Sequence, residues 1–412
     1  MRILYLSQYF PPEVGATQAR AYDLAHHWVR AGHRVTVVAE FPNHPSGVLA
    51  PGYRRRLYER TTLDGMDVVR VWVKASPVKT FGTRMAFYLS YMFMASLAGL
   101  WLGREKYDVV YAASPPLFVG AAGLAISRLR RIPLVFEVQD VWPEAAVALG
   151  ELRNPTAIRL AEWLADRCYH RARRVVVVTR AMLEHLRQRG TETGKLVLIP
   201  NGANTELFYP QPDGAAALRA RLGLDHSFIA VYAGIHGIAQ GLNTVLDAAQ
   251  RLRAVPDITF LLVGEGPVKT ELVARAQQLG LPNLRFHPEV PRSQMPDFLT
   301  AANVALVPLR RLPVFHGAVP SKLFDAWACG CPVVLGTEGE ARELLESARA
   351  GVSVEPENGA ALADAIVALK ADLTRCRQLG ENGRRFVASG YSRQAHARQL
   401  AHVLQTVSRE PA

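Results

Sequence analysis

The chain has 412 residues, 49% hydrophobic and 20% charged, which excludes an intrinsically disordered protein and predicts two or three domains with their own cores. Forty-eight Lys and Arg against 36 Asp and Glu give a formal net charge of +12. This balance favours an anionic partner: nucleic acid, a phosphorylated substrate or an acidic membrane face. The four cysteines have neither metal-site nor disulfide spacing, so we expect a reducing cytoplasm.

The first half of the chain alternates apolar runs of strand length with helical patterns, which predicts a parallel sheet with crossover helices. The opening MRILYLSQYF carries a single Arg and a short apolar run, so it predicts a buried first strand and no signal peptide. A helix is predicted over residues 18–32, where Gly32 ends it before the next strand. The predicted strands of this half are RILYLS, RVTVVAE, VVRVWV, DVVYAAS, LVFEV, RVVVVT and the start of LVLIPNGANTELFYP.

An uncharged stretch, MAFYLSYMFMASLAGLWLG, occupies residues 85–103 within this half. Its length falls in the range of a transmembrane helix, roughly 17 to 25 residues, but a span would separate strands that belong to one sheet. A buried core helix is the second alternative. We favour a third, a partly exposed helix that dips into one membrane leaflet while neighbouring cations meet acidic headgroups. These cations are Arg54, Arg55, Arg56, Lys74, Lys79 and Arg84.

A second series of strands begins after a connection rich in Pro, Asn and Gly, and its strands are FIAVYAG, ITFLLVGEG, LRFHPEV, VALVPL, PVVLGT and GVSVEP. We therefore predict an N-terminal domain of residues 1–202, a C-terminal domain of residues 203–390, and a last helix, 391–412, that packs toward the N-terminal domain. Two such doubly wound domains would place the carboxyl ends of their strands around a shared cleft, where a ligand can bind.

Glycine-containing loops follow several of these strands. PPEVGATQAR places Gly15 before the first helix, and LLVGEGP ends a strand with Gly264 and Gly266. AGIHGIAQGL lacks the spacing of a dinucleotide fingerprint, but it combines glycines with polar side chains. Its relevant residues are Gly234, His236, Gln240 and Gly241. Each loop alone also fits an ordinary tight turn, and their shared position at strand ends is the stronger argument for a site.

The segment PSKLFDAWACGCPVV begins a short helix with Lys322 and Asp325 three residues apart. Residues at this spacing share a helix face, so the ammonium and the carboxylate can point at one ligand. The free amides at a helix start attract anions. The alternative is a surface helix in which Ser321 is the N-cap and Lys322 is solvated.

These motifs resemble glycosyltransferase family 4, whose members are retaining, nucleotide-sugar-dependent enzymes of the GT-B fold. The resemblance is carried by PP-x-x-G-x-x-x-x-R near the start, NG at the connection, VGEGP, PSKLFDAWACGCPVV and GEARELLE, in this order over nearly the whole chain. FEVQDVWPE and AGIHGIAQGL are similar to the WbuB-like subgroup of O-antigen and capsule assembly. The resemblance implies an α/β fold of two Rossmann-like domains that face a central cleft, with the last helix crossing back to the first domain.

The same resemblance implies roles for particular residues. Asp325 would accept hydrogen bonds from the ribose hydroxyls of the donor, because a carboxylate offers acceptors to both members of a diol. The backbone amides around Ser321, Lys322 and Leu323 would face the diphosphate. The Gly15 loop and the turn from Gly234 to Gly241 would flank it, and the HPEV segment would touch the base. The implied donor-binding residues are Gly15, Gly234, His236, Gln240, Gly241, Gly266, Val290, Ser321, Lys322, Leu323 and Asp325.

The acceptor-binding residues implied are Glu13 and Arg20, and the catalytic ones are Gln139 and Asp140. Asp140 would orient the donor sugar or assist the acceptor, while a role as N-cap of the helix VWPEAAVAL is the alternative.

Three positions depart from the family pattern. Many members have Glu eight positions before Asp325, where this chain has Gly317, and His before the acid where it has Gln139. His236 and Gln240 stand where Arg and Lys often neutralise the diphosphate. Lys322, Arg180 and helix N-termini would then supply more of the positive charge.

No D-x-D triplet is present to hold a metal against a diphosphate, so we expect a leaving group stabilised by hydrogen-bond donors and positive charge, with no metal site and no cofactor. The predicted reaction moves an N-acetylated hexosamine or deoxyhexosamine from a UDP-sugar to a polyprenyl-diphosphate-linked saccharide at the inner face of the plasma membrane. A nucleotide-sugar epimerase of the same fold and a non-catalytic nucleotide-sugar-binding subunit are the alternatives. No nucleic-acid-binding motif is found.

Overall fold

The computed structural model describes residues 1–43, 46–53, 56–78, 80–102 and 105–410. The chain forms two compact units, which divide between residues 200 and 201 and again between residues 392 and 393. Unit 1 contains Met1–Pro200 and the chain from Arg393 onward, and unit 2 contains Asn201–Ser392. The sequence-based boundaries are 202/203 and 390/391.

Unit 1 is built on an eight-stranded sheet whose strands are ordered β3-β4-β2-β1-β5-β6-β7-β8. The strands are β1 (Arg2–Ser7), β2 (Arg34–Glu40), β3 (Tyr58–Leu63), β4 (Met66–Val71), β5 (Val109–Ser114), β6 (Leu134–Val138), β7 (Arg174–Val177) and β8 (Leu196–Leu198). The helices are α1 (Ala16–Arg30), α2 (Phe81–Trp101), α3 (Phe118–Arg130), α4 (Glu144–Ala148), α5 (Pro155–Arg171) and α6 (Arg180–Gln188). Both faces of the central strands are buried, which is why these strands are apolar at nearly every position.

The edge strand β3 is absent from the sequence-based prediction. It pairs antiparallel with β4, Tyr58 opposite Val71, whereas β1, β2 and β4 to β8 pair in parallel. Its sequence YERTTL is largely exposed and polar, so it lacks the apolar run that indicated the other strands. A short, charged strand at the edge of a sheet also discourages pairing with another chain.

Helix α2 has one buried face and one exposed face. Its N-cap is Thr80, which forms a capping box with Thr83. Its buried residues are small apart from one tyrosine, and a Cβ added to Gly99 would lie 2.3 Å from Cδ1 of Ile126 in α3, so the two helices pack closely. The buried residues are Tyr91, Ala95, Ala98 and Gly99. The prediction of a partly exposed helix is confirmed, and the alternative of a fully buried core helix is wrong.

The predicted start of this helix, residue 85, is four residues late, and its predicted end, residue 103, lies outside the described residues. Within the described part of the chain, no helix is sufficiently long and apolar to cross a membrane. Arg54, Arg55 and Lys79, three of the predicted headgroup-binding cations, also lie outside the described residues.

Unit 2 contains a six-stranded sheet, ordered β11-β10-β9-β12-β13-β14, in which the pairings are parallel. The strands are β9 (Phe228–Ala233), β10 (Ile258–Val263), β11 (Leu284–His287), β12 (Val304–Pro308), β13 (Val333–Gly336) and β14 (Gly351–Ser353). The helices are α7 (Pro212–Leu222), α8 (Asn243–Arg251), α9 (Lys269–Gln278), α10 (Met295–Ala301), α11 (Lys322–Ala328), α12 (Glu340–Ala348), α13 (Gly359–Ala371) and α14 (Leu373–Gly390). The last helix, α15 (Arg393–Arg409), belongs to unit 1.

The strand order of unit 2 reverses direction between β9 and β12. Strands β10 and β11 are added on one side of β9, and β12, β13 and β14 are added on the other. Open parallel sheets bind ligands at such a switch point, beyond the carboxyl ends of the strands. In unit 1 the reversal lies between β1 and β5. The two α/β sheets were predicted from the sequence, and the structure confirms them.

Helix α15 packs on α1 in unit 1. The indole Nε1 of Trp28 donates a hydrogen bond of 2.9 Å to the carbonyl of Ala397, and both side chains are buried. Unit 2 has its own buried tryptophan, Trp327 in α11, which donates a 2.9 Å hydrogen bond to the carbonyl of Ala350. Each unit therefore contains an independent apolar core.

Candidate functional site

Two loops of unit 2 interlock through their backbones at the switch point. A Cβ added to Gly264, after β10, would lie 2.0 Å from the carbonyl oxygen of Gly234, after β9. A Cβ added to Gly266 would lie 2.4 Å from the carbonyl oxygen of His236. The amide of His236 in turn donates a 2.8 Å hydrogen bond to the carbonyl of Glu265. Glycine is required at positions 264 and 266 because any side chain would separate the two loops.

Lys322, the first residue of α11, extends its side chain to these loops. Its Nζ lies 3.9 Å from the ring centroid of Tyr232 and would lie 3.0 Å from a Cβ added to Gly234. The Nζ atom is buried, and no described residue accepts a hydrogen bond from it. Because burial disfavours the charged form, desolvation lowers the pKa of Lys322 to about 7.

His236 is fully buried beside Lys322. Its imidazole lies 5.7 Å from the ring of Tyr232 and 6.2 Å from that of Phe286, centroid to centroid. Among the described residues, neither ring nitrogen has a hydrogen-bond partner. Desolvation first, and then the charge of Lys269, lower the pKa of His236 to about 4, so the imidazole is neutral at pH 7.

The start of α11 differs from an ordinary capped helix. Ser321 has helical backbone angles and its side chain makes no capping hydrogen bond, and Lys322 is not solvated, so the alternative of a capped surface helix is wrong. The amide of Leu323 donates a 3.1 Å hydrogen bond to the carbonyl of Pro320, so this predicted diphosphate donor already has an acceptor. Asp325 lies one helical turn after Lys322 and is half-buried.

The remaining predicted donor-binding residues of unit 2 lie on adjoining loops. Gln240 ends a short 3-10 turn, and Gly241 follows it with a φ of 57°. The amide of Arg310, just after β12, donates a 2.9 Å hydrogen bond to the carbonyl of Ala239, which ties this turn to the far side of the switch point. The side chain of Val290 belongs to the apolar core, so the residue can offer a ligand little more than its backbone.

In unit 1, Glu13 belongs to a buried polar cluster at the carboxyl ends of β1 and β2. Its Oε1 accepts a 2.8 Å hydrogen bond from the amide of Asn43. Glu40 accepts hydrogen bonds of 2.7 Å from the amide side chains of both Gln8 and Asn43. Glu13 and Asn43 also line a cavity of about 330 Å³ with Pro12, Pro42 and Leu49. Sequence reasoning missed Gln8, Glu40 and Asn43, although their positions directly at strand carboxyl ends could have indicated them.

Arg20, predicted to bind the acceptor, is buried in the core of unit 1. Its guanidinium forms a fully buried ion pair with Glu137, with Nη2 2.6 Å from Oε1. It also donates to the carbonyls of Ile199 and Pro200 at 3.1 and 3.0 Å. The side chain is 1% exposed, and the acceptor-binding role of Arg20 stays a prediction.

The predicted catalytic pair follows β6. Gln139 donates a 2.9 Å hydrogen bond to Oε2 of Glu137, so it is held by the same carboxylate as Arg20. Asp140 has an exposed side chain just after β6. Helix α4 begins at Glu144 with Pro143 as its N-cap, so the alternative of Asp140 as the cap is wrong.

Two other predicted residues of unit 1 lie at helix starts. Gly15 is exposed directly before α1, and a Cβ there would lie 2.3 Å from Oε1 of Gln18. Arg180 is the exposed first residue of α6. Within the described ranges, no three or more His, Cys, Asp and Glu side chains are grouped so that they could hold a metal ion.

Comparison with known families decides the class of the protein. Residues 15–202 match the family described as Glycosyl transferase 4-like domain, and residues 216–386 match Glycosyl transferases group 1. The two matches together cover most of the chain. The chain belongs to the GT4 glycosyltransferases. The predicted enzyme class, a glycosyltransferase, is confirmed.

Curated relatives of this glycosyltransferase are distant. It is 27% identical over 375 residues to the putative colanic acid biosynthesis glycosyl transferase WcaI of Escherichia coli. This match covers 89% of the present chain and 91% of the relative. It is 26% identical over 340 residues to the GDP-mannose-dependent alpha-(1-6)-phosphatidylinositol monomannoside mannosyltransferase of Mycolicibacterium smegmatis, covering 74% and 88%. These identities support the general group and not a particular subgroup.

Solved structures confirm the GT-B fold of this glycosyltransferase. HepE of Anabaena in complex with UDP-glucose superposes with a TM-score of 0.75 at 20% identity, covering 98% of this chain and 100% of that one. Sucrose-phosphate synthase from Thermosynechococcus elongatus gives the same TM-score at 21% identity, covering 98% of each chain.

Proposed function

We propose that this glycosyltransferase transfers a sugar from a UDP-sugar, with retention of configuration, to a polyprenyl-diphosphate-linked saccharide during assembly of a bacterial surface polysaccharide. The donor sugar in this proposal is an N-acetylated hexosamine or deoxyhexosamine. The observation that carries it is the switch point of unit 2, where Lys322, His236 and the start of α11 meet two interlocked glycine loops.

The chemistry of that switch point suits a nucleoside diphosphate. Lys322 offers a basic amine that pairs with no described carboxylate, and His236 offers a neutral hydrogen-bonding ring. Asp325 would accept hydrogen bonds from the ribose hydroxyls, while the Lys322 side chain and the backbone amides of Ser321 and Lys322 would stabilise the departing diphosphate without a metal. Asp140 and Gln139 remain our candidates for orienting the sugar or assisting the acceptor.

The names of related proteins support parts of this proposal. The fold relative HepE is described in complex with UDP-glucose, which favours UDP as the nucleotide. The mycobacterial relative is named for GDP-mannose, so GDP is the competing nucleotide. The Escherichia coli relative is named for colanic acid biosynthesis, which supports a role in surface polysaccharide assembly.

The exposed face of α2 supports a lipid-linked acceptor. Leu89, Phe93, Leu97 and Trp101 are spaced by four residues and are 43%, 61%, 47% and 68% exposed. Side chains at this spacing form one apolar stripe along a helix, which suits the boundary between headgroups and acyl chains at the inner face of the plasma membrane. Arg84, one of the predicted headgroup-binding cations, is paired with Glu151 at 2.5 Å.

Titration of UDP, GDP and ADP by calorimetry in EDTA tests the donor site. We expect UDP to bind without metal and Asp325→Ala to weaken it roughly ten- to a hundredfold, because a charged, doubly hydrogen-bonded contact is worth about 1.5–3 kcal/mol. Asp364→Ala, which removes an exposed carboxylate from α13, is the matched control and should bind as the unmodified protein does. Equal binding by Asp325→Ala would overturn the ribose-binding role.

A further inference from the structure

Lys322 differs from ordinary surface lysines because its Nζ is buried and has no anionic partner among the described residues. The Nζ atom is buried, it lies 3.9 Å from the centroid of the Tyr232 ring, and it would lie 3.0 Å from a Cβ added to Gly234. The face of an aromatic ring attracts a cation weakly, and it does not replace the hydration of an ammonium. Uncompensated burial of this kind favours the neutral amine.

Charged and titratable groups surround Lys322 on several elements, yet none forms an ion pair with it among the described residues. Glu265 and Lys269, on the loop after β10 and at the start of α9, are 2.5 Å apart and neutralise each other. The phenol of Tyr232 donates to the carbonyl of Ile235 at 2.6 Å. His236 after β9 interacts electrostatically with Lys322, Glu289 after β11 interacts with Glu265, and Asp325 lies one turn along α11.

We propose that Lys322 couples proton uptake to donor binding: its buried Nζ, which lacks an anionic partner among the described residues, takes up a proton as the diphosphate arrives. This inference rests on the donor site proposed above. The diphosphate supplies the missing counter-charge, and the proton comes from solvent, so ligand and proton bind together. Lysine is suited to this task, since its protonation responds to burial, whereas arginine stays charged in proteins.

The direction of the pH dependence follows from linkage. With a pKa of about 7 in the empty site, Lys322 is mostly neutral at pH 8, and a bound diphosphate raises that pKa. The affinity for the nucleotide is therefore highest near pH 7 and falls as pH rises, by up to about tenfold per pH unit. His236 contributes no proton in this range, because its pKa is about 4. The terminal phosphate of a nucleoside diphosphate, with a pKa near about 6, is also ionised throughout.

Calorimetry of UDP and GDP between about pH 7 and pH 8.5, in two buffers of different ionisation enthalpy, measures the protons taken up. We expect uptake of about one proton per bound nucleotide at pH 8 and about half a proton at pH 7. Lys322→Arg should bind with no buffer-dependent uptake, and Lys322→Met should bind weakly with none. Lys370→Met is the matched control, because Lys370 lies elsewhere in unit 2 in an ion pair with Asp257 and its loss should leave the uptake unchanged.

A second measurement needs no nucleotide. The pKa of Lys322 is lower in the folded protein than in the unfolded chain, so above about pH 7 the unfolded chain binds more protons. The free energy of unfolding therefore rises with pH in this range. The urea midpoint of the unmodified protein should therefore rise, relative to that of Lys322→Met, between about pH 7 and pH 9. Parallel pH profiles, or nucleotide binding with equal proton uptake in Lys322→Arg, would overturn the coupling and leave the donor site intact. If neither nucleotide binds but the profiles diverge as expected, the donor assignment fails while the titration of Lys322 stands.

Discussion

Two pairs of buried polar side chains in this glycosyltransferase differ in whether their polar atoms have partners within the protein. Arg20 and Glu137 satisfy each other inside unit 1, and Arg20 uses its remaining donors on backbone carbonyls. Lys322 and His236 in unit 2 have no such partners among the described residues. Because leaving a buried polar group unpaired costs free energy, a ligand that pairs with Lys322 and His236 would recover that cost.

The first pair gives a prediction about stability. Arg20→Met should lower the free energy of unfolding of unit 1 by about 3–5 kcal/mol, since it leaves the Glu137 carboxylate buried without its cation. Urea unfolding followed by circular dichroism measures the loss. Arg60→Met removes an exposed cation paired with Asp67 and should lower stability by less than about 1 kcal/mol. A loss of similar size in both variants would contradict the assignment of Arg20 as a core residue.

At the scale of elements, the sequence predicted those strands and loops that a local pattern of residues determines. Buried parallel strands are apolar at nearly every position, so those strands were found, while the polar edge strand β3 was not. The glycine loops were placed correctly after β9 and β10. The ion pair of Arg20 was not predicted, because its partner Glu137 is 117 residues away in the sequence. The burial of Lys322 against Tyr232 was inaccessible for the same reason, since it depends on a contact between distant segments.

Helix α2 shows a further limit of local pattern. Its buried face is made of small residues such as Ala95, Ala98 and Gly99, and its exposed face is made of large apolar ones. Both faces are apolar, so hydropathy alone could not decide between a membrane span, a core helix and an interfacial helix. Packing against α3 decides which face is covered.

The exposed stripe of α2 predicts lipid binding that depends on single aromatic side chains. Replacing Phe93 by Ser should weaken binding to vesicles with anionic lipids about tenfold or more, because burial of a Phe side chain is worth about 1.5–3 kcal/mol. Thermal stability should not fall, since Phe93 is 61% exposed. Vesicle co-sedimentation measures the effect. Leu373→Ser, at a 52% exposed position in unit 2, is the control, and equal losses in the two variants would contradict docking through α2.

At the scale of the whole molecule, the two units have separate sheets and separate buried cores, and ligand chemistry is distributed unevenly between them. Unit 2 carries the switch point with Lys322 that is proposed for the donor. A ligand that binds only the folded form of one unit stabilises that unit by mass action, by about 2.7 kcal/mol at a hundred times its dissociation constant. The effect should appear in one unfolding transition and not in the other.

Differential scanning calorimetry of the full chain should therefore resolve two transitions, of which UDP raises only one, by roughly 5–10 °C. Asp325→Ala should reduce that shift at the same UDP concentration, because Asp325 belongs to unit 2. Arg20→Met should instead lower the midpoint of the transition that UDP leaves in place, because Arg20 holds the core of unit 1. Because the two variants affect different transitions, they assign each transition to its unit in the intact chain. A single cooperative transition that responds to both variants and to UDP would mean that the units unfold together, and would contradict the independence inferred from their separate cores.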